Sequence, residues 1–242
     1  MYLYNSLTRK KEELTENKIR MYVCGVTVYD RPHLGHALST VTFDVLHRYL
    51  EFIGHEVIRV QNFTDVDDKI IAKANELKIS PIEVAEKYID AFFQDMDELG
   101  VRRADAHPRA TEDMSEIINL IETLVHKNAA YETLGSVYFD INYDKGYGRL
   151  SRRKLNEMLE NTRTQSEPGK RNPADFALWK AAKPEEIHWQ SPWGLGRPGW
   201  HIECSAMVKK HLGDEIEIHG GGLDLIFPHH ENEITQSQAA ND

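Results

Sequence analysis

Apolar residues in the first quarter of this chain follow two different rhythms. Met21 to Val28 is a near-continuous apolar run suited to a buried strand, whereas Leu38, Val41, Val45, Tyr49 and Ile53 recur at helical spacing, with Leu46 and Leu50 alongside, over Leu34 to Ile53. Gly54 then stops the helix, and Val57 to Gln61 is a second strand run. Strand, helix and strand in that order predict a crossover between parallel strands. Ligands of such sheets bind beyond the carboxyl ends of the strands, which places Cys24 to Asp30 and Asn62 to Asp68 at the binding edge.

Further along, Asp67 to Leu77 has a helical pattern, and Ser80-Pro81-Ile82-Glu83 is a capping box with proline at the first helical position, opening a helix that Gly100 ends. From Val101 the texture changes. Thr111 to Lys127 is predicted as an amphipathic helix, Val137 to Ile141 as a strand and Asp144 to Gly148 as a turn-rich loop. Asn161 to Pro198 is rich in Pro, Gly and Trp, with little periodicity. Sheet-like texture resumes with Glu215 to His219 and Gly220-Gly221-Gly222, after which Pro228 is expected to open a polar helix carrying His229 and Glu233. The expected class is α/β: a parallel sheet flanked by helices, its halves at 1–105 and 196–242, separated by an insertion over 106–195.

With 242 residues and a hydrophobic fraction of 40%, there is ample material for a folded core. The 29 basic and 39 acidic residues leave a net charge of -10, which argues against nucleic acid binding over the whole surface. Local basic runs do occur at Arg149, Arg152, Arg153 and Lys154, and at Lys209-Lys210; such runs are more commonly solvated surface. No apolar stretch approaches the roughly 18 residues of a membrane span, and the start lacks a secretory pattern, so the expected address is the cytoplasm. There a disulfide between Cys24 and Cys204 is disfavoured, leaving burial or metal binding for the two thiols.

His229 and Glu233, four apart on a helix, project from one face and can offer a nitrogen and an oxygen to one metal. Adding Cys24 and Cys204 makes a sulfur-rich set that suits zinc rather than magnesium or calcium. The bare spacing also fits an ordinary exposed helix face, and neither zinc-protease helix motif is present. Pro32-His33-Leu34-Gly35-His36 lies between strand and helix, where backbone N–H groups and the helix dipole favour anions; a plain turn with two surface histidines is the competing reading. Asp65, Asp67 and Asp68 invite a magnesium reading, but Asp67 and Asp68 stand where a helix should begin, and capping is preferred. Asp224, after the glycine run, is placed for a ribose hydroxyl, and a glycine turn serves almost as well.

Taken together, Tyr22–Asp30, Pro32–His36, Asn62–Lys69, Lys170–Lys180, Gly196–Met207 and His219–Glu233 resemble cysteinyl-tRNA synthetases, a class I aminoacyl-tRNA synthetase family, in order and over nearly the whole chain. The resemblance implies a Rossmann-like parallel sheet interrupted by a connective insertion, and Zn2+ held by Cys24, Cys204, His229 and Glu233. It implies an L-cysteine pocket lined by Gly25, Thr64, Trp200 and His201. ATP, brought with Mg2+, would meet His33, His36, Gly221 and Asp224, with His33 and His36 stabilising the reacting phosphate. The implied product is cysteinyl-adenylate, for transfer to tRNA(Cys) by a monomer. Family members carry a second signature, Lys-Met-Ser-Lys-Ser, and then an anticodon-reading helical domain; neither occurs in these residues. The expectation is therefore a truncated chain in which activation is impaired. A cysteine ligase of the mycothiol pathway shares the same resemblance, and a non-catalytic zinc- or cysteine-binding paralogue is the alternative from another class.

Overall fold

The computed structural model describes residues 1–153, 168–184 and 186–241, so Lys154 and the first part of the Asn161–Pro198 stretch lie outside the described residues. In chain order the elements are β1 (Tyr2–Asn5), β2 (Lys10–Glu13), β3 (Lys18–Thr27), α1 (Leu34–Phe52), β4 (Glu56–Thr64), α2 (Asp68–Leu77), α3 (Pro81–Glu98), α4 (Met114–His126), β5 (Ala130–Thr133), β6 (Ser136–Phe139), β7 (Phe176–Ala181), β8 (Trp189–Ser191), β9 (Gly194–Pro198), α5 (Trp200–Leu212), β10 (Ile218–Gly220) and α6 (Glu231–Asn241). They divide into two compact units. One comprises Met1, Leu14–Met114 and Met207–Gly222; the other comprises Tyr2–Glu13, Ser115–Ala206 and Leu223–Asp242. No described helix is long and apolar enough to cross a membrane.

The first unit holds the predicted parallel sheet, in the order β10-β3-β4. Strand β3 is central, with β4 paired from Lys18↔Glu56 to Thr27↔Thr64 and β10 from Ile218↔Met21 to Gly220↔Val23. A strand covered on both faces must be apolar throughout, and Ile19, Met21, Tyr22 and Val23 are fully buried. Both strands extend beyond their apolar runs, with the ladder running from Lys18↔Glu56. The Arg20 side chain donates from Nη2 and Nε to Glu217 at 2.6 and 3.0 Å. Helices α2 and α3 cover a second cluster of Val28, Phe63, Ile70, Val84, Ile89 and Phe92. Their starts match expectation: Asp67 caps α2 by accepting from Lys69 N, and Ser80 and Glu83 form the capping box of α3. Asp65 instead accepts from Thr111 N at 3.1 Å and ties down the loop before α4.

Helix α1 departs from the expected face. The stripe of Leu38, Val45, Tyr49 and Ile53 is exposed, and the buried positions are Thr40, Asp44, His47 and Leu50. The inward face is mixed: Phe43, Leu46 and Leu50 pack on the core of the sheet, and Asp44 meets a buried cation. Arg59 on β4 is only 1% exposed, and its guanidinium lies 3.6 Å from Asp44, which Arg48 also reaches at 2.9 Å. A buried cation needs a carboxylate beside it, which accounts for Asp44 on this face.

His107 makes stability in this unit depend on pH. Its Nδ1 lies 2.9 Å from Gln61 O, and Ala104 N donates to its Nε2 at 3.1 Å, so the neutral ring is satisfied at both nitrogens. Burial lowers its pKa to about 4, against the Gln61 contact, with Arg59 and Arg103 adding to the fall. The unfolded chain therefore binds this proton more readily than the folded one. The stabilisation is complete above about pH 6.5 and is lost as pH falls toward about 4. Melting curves across that window should show a decline that His107→Gln flattens; an equally steep decline in the variant would refute the assignment.

The second unit contains a five-stranded antiparallel sheet in the order β5-β6-β7-β9-β8, and a separate β1-β2 hairpin. Helix α4 contributes buried Ile117, Leu120, Ile121 and Leu124 to its core. Strands β7 to β9 occupy sequence that lacked periodicity. Close approach between them requires glycine: a Cβ on Gly196 would lie 2.4 Å from Lys180 O, and one on Gly199 would lie 1.9 Å from Ala177 O. Asp175, at the entrance to β7, is buried and accepts from Tyr131 Oη at 2.6 Å, Asn172 N at 2.9 Å and Ile141 N at 3.0 Å. Helix α5, which carries Cys204, also went unpredicted.

Candidate functional site

In the first unit, the candidate residues cluster at the carboxyl end of the parallel sheet. The β3–β4 register shifts between Val23 and Val26, placing Cys24 and Gly25 at an irregularity that re-aims the strand. Cys24 is buried, and its Sγ lies 3.4 Å from His219 Nε2, a neighbour that sequence pattern did not single out. Gly25 N donates to Asn62 Oδ1 at 2.8 Å, and a Cβ at Gly25 would stand only 1.6 Å from Asn62 O. Thr64 is buried at the end of β4, and its carbonyl accepts from Val28 N. Gly221 follows β10 and is half-buried.

His33 and His36 do more than border a turn. His33 Nδ1 accepts from Gly35 N at 3.1 Å and His36 N at 3.4 Å, while His36 Nδ1 accepts from His33 N at 3.3 Å. The two imidazoles thus form the capping box of α1, with their rings stacked 3.7 Å apart. Because each Nδ1 is an acceptor, each ring carries its proton on Nε2. The result is two ring N–H donors at the positive end of a 19-residue helix, a suitable place for an anion.

In the second unit, Cys204, His229 and Glu233 are all buried, and their ligand-type atoms lie within 4.8 Å of one another. The His229–Glu233 spacing predicts one helix carrying both, whereas α6 starts at Glu231. His229 sits in the π-helical turn Ile226–His230, where Phe227 has extended backbone angles and the Phe227–Pro228 peptide is cis. The pair still meets, with Nε2 and Oε2 3.6 Å apart. Burial disfavours charge on His229, yet Glu233 and Cys204 outweigh it and raise its pKa to about 9.

His201 surrounds the same ring. Its Nδ1 lies 3.0 Å from His229 Nδ1; burial, followed by His229, lowers its pKa to about 3 and keeps it neutral. Trp200 is tilted over His229 at 4.4 Å, and Phe176 meets His201 edge-on at 5.8 Å. Asp224 is exposed in the 3-10 turn Leu223–Leu225. Two described residues of the basic run are engaged locally: Arg149 contacts Asp144 and Gln238, and Arg153 lies over the Phe227 ring. Lys210 and His211 both contact Asp113, at 2.7 and 2.8 Å.

Comparison with known proteins follows the same outline. Residues 10–242 match the family described as tRNA synthetases class I (C) catalytic domain. The chain is 57% identical over 240 residues to a cysteine–tRNA ligase of Thermococcus gammatolerans, covering 98% of this chain and 50% of that protein. It is 54% identical over 243 residues to that of Syntrophobacter fumaroxidans, covering 99% and 49%, and 54% identical over 242 residues to that of Carboxydothermus hydrogenoformans, covering 99% and 52%. The chain thus spans about half the length of the curated relatives it matches.

Proposed function

The chain belongs to the class I tRNA synthetase (C) catalytic-domain family, and from that premise we propose that it selects L-cysteine through zinc and activates it with ATP for transfer to tRNA(Cys). The observation that carries this reading is the buried trio of Cys204, His229 and Glu233, in which Glu233 and Cys204 raise the His229 pKa to about 9 against the effect of burial. Zinc fits that chemistry. With Cys24 as the fourth donor, the set offers two thiolates, one imidazole and one carboxylate, a composition that hard cations do not favour. Bound there, zinc would accept the substrate thiolate and discriminate against serine, whose hydroxyl is a poorer ligand and deprotonates with more difficulty.

The remaining chemistry belongs to the protein's own groups. His201, neutral, accepts the Nδ1–H of His229 and fixes that ring's orientation. Gly25, Thr64, Trp200 and His201 line the cysteine pocket. His33 and His36 direct their Nε2–H groups at phosphate oxygens of ATP, which arrives with Mg2+. An oxygen of the cysteine carboxylate forms a bond to the α-phosphorus, the bond from that phosphorus to the bridging oxygen breaks, and pyrophosphate leaves carrying the electron pair. The two imidazoles stabilise the charge that develops, so the contribution is orientation and electrostatics rather than covalent catalysis. Gly221 and Asp224 bind the nucleoside part, and the connective segment over 106–195 serves the tRNA. The reaction belongs to a monomer in the reducing cytoplasm, which keeps both cysteines available as thiols.

Calorimetric titration of the zinc-loaded chain with cysteine and with serine tests the assignment. Cysteine should bind at least about 100-fold more tightly, as expected when an analogue cannot satisfy a buried site. Equal affinities, or no zinc in the purified chain, would overturn it.

A further inference from the structure

One face of α6 is held by a loop over 144–151 that takes no part in the chemical step above. Glu231 is fully buried, and its carboxylate spans two backbone amides of that loop: Leu150 N donates to Oε1 at 3.2 Å and Ser151 N to Oε2 at 2.8 Å. Tyr147 Oη donates to buried Asn232 at 2.6 Å, Thr235 Oγ1 donates to Asp144 at 2.8 Å, and Arg149 reaches Gln238. With 3.6 residues per turn, Glu231, Thr235 and Gln238 share one face of α6, opposite the face of Glu233 and Gln236. The opposite face is anchored too: Gln236 Nε2 donates to His201 O at 3.0 Å and to Ser205 Oγ at 2.9 Å, beside Cys204 on α5. The turn carrying His229 has no side-chain cap of its own. The start of α6, which follows it directly, contributes to its placement together with the contacts of His201 and Trp200 to the ring.

Resting on the zinc reading of Cys204, His229 and Glu233, we infer that Glu231, supported by Tyr147 and Asn232, is a positioning residue that locks the first turn of α6 so that His229 and Glu233 meet a metal ion without rearrangement. An acidic side chain is favoured at a helix start. A carboxylate that also accepts two loop amides adds direction, because it fixes rotation of the helix about its axis as well as its position along it. Removing the outer partners of metal ligands typically weakens metal binding by about 10- to 100-fold.

The test is zinc affinity of the full 242-residue chain, measured by competition with a chromophoric chelator, together with the visible spectrum of the cobalt-substituted protein and hydrogen exchange of the Leu150 and Ser151 amides. Glu231→Gln places an amide donor against a backbone donor; it should weaken zinc binding about 10- to 100-fold, shift the cobalt bands and expose both amides to exchange. Tyr147→Phe removes a single hydroxyl and should weaken zinc binding by about two- to tenfold. It decides the question if Glu231→Gln fails to fold. Zinc affinity and cobalt bands unchanged in a folded Glu231→Gln, or in Tyr147→Phe, would overturn the inference while leaving zinc binding intact. A parent chain that binds no zinc would overturn both.

Discussion

Cys204→Ala should lower zinc from about one ion per chain to a trace, read by elemental analysis after gel filtration. Structural zinc sites with four protein ligands bind with about 10–16 kcal/mol, so each ligand accounts for about 2.5–4 kcal/mol, or about two to three orders of magnitude in affinity. Cys204 is 1% exposed, next to His229 and Glu233, and an alanine there offers no donor atom in its place. Cys204→Ser should fail as well, because a hydroxyl is a poor donor to zinc at neutral pH. Full zinc content in either variant would remove the metal from this reading. Cys24→Ala is the matching test for the other unit. Zinc retained there at parental affinity would strike Cys24 from the ligand set while leaving the buried trio in place.

Gly25→Ala should destabilise the first unit by about 3–5 kcal/mol, lowering its Tm by roughly 10 °C. An added Cβ would lie 1.6 Å from Asn62 O and 2.7 Å from Asn62 C. Both are backbone atoms of the paired strand, so no side-chain rotation relieves the clash and β3 and β4 must part. Gly54→Ala is the contrast: a Cβ there meets nothing within 4 Å, and the backbone φ of +99° accounts for a cost of about 1–3 kcal/mol. Scanning calorimetry of the two variants separates close packing from backbone strain. A Gly25→Ala protein that melts with the parent would show that the strand pair does not need glycine at this point.

Much of this architecture was legible because it rests on local rules. The apolar run of β3, the capping box at Ser80 and Glu83, and Asp67 at the start of α2 are written into neighbouring residues and reappear where expected. What resisted reading depended on distant partners. Helix α1 turns Asp44 inward beside Arg59 of β4, and no periodicity within the helix contains that fact. Strands β7 and β9 pair through glycines whose value lies in what they omit, so they carry no alternating signal. The histidines of the Pro32–His36 turn were read as candidate phosphate ligands; that each caps the other emerges only from ring orientation.

By itself, then, the sequence determined the class of fold and the strand–helix–strand crossover of its parallel sheet, and it offered candidates for a soft metal and a phosphate, since these follow from short-range pattern and side-chain identity. Tertiary structure alone decided that Cys204, on a helix without a recognisable pattern, lies with His229 and Glu233 at one buried point, that His201 faces the other side of the imidazole, and that Glu231 is gripped by a loop 80 residues earlier. The physical reason is range. Helix and strand preferences act over a few residues, whereas the energy of a buried charge depends on which groups the folded chain places within a few ångströms of it.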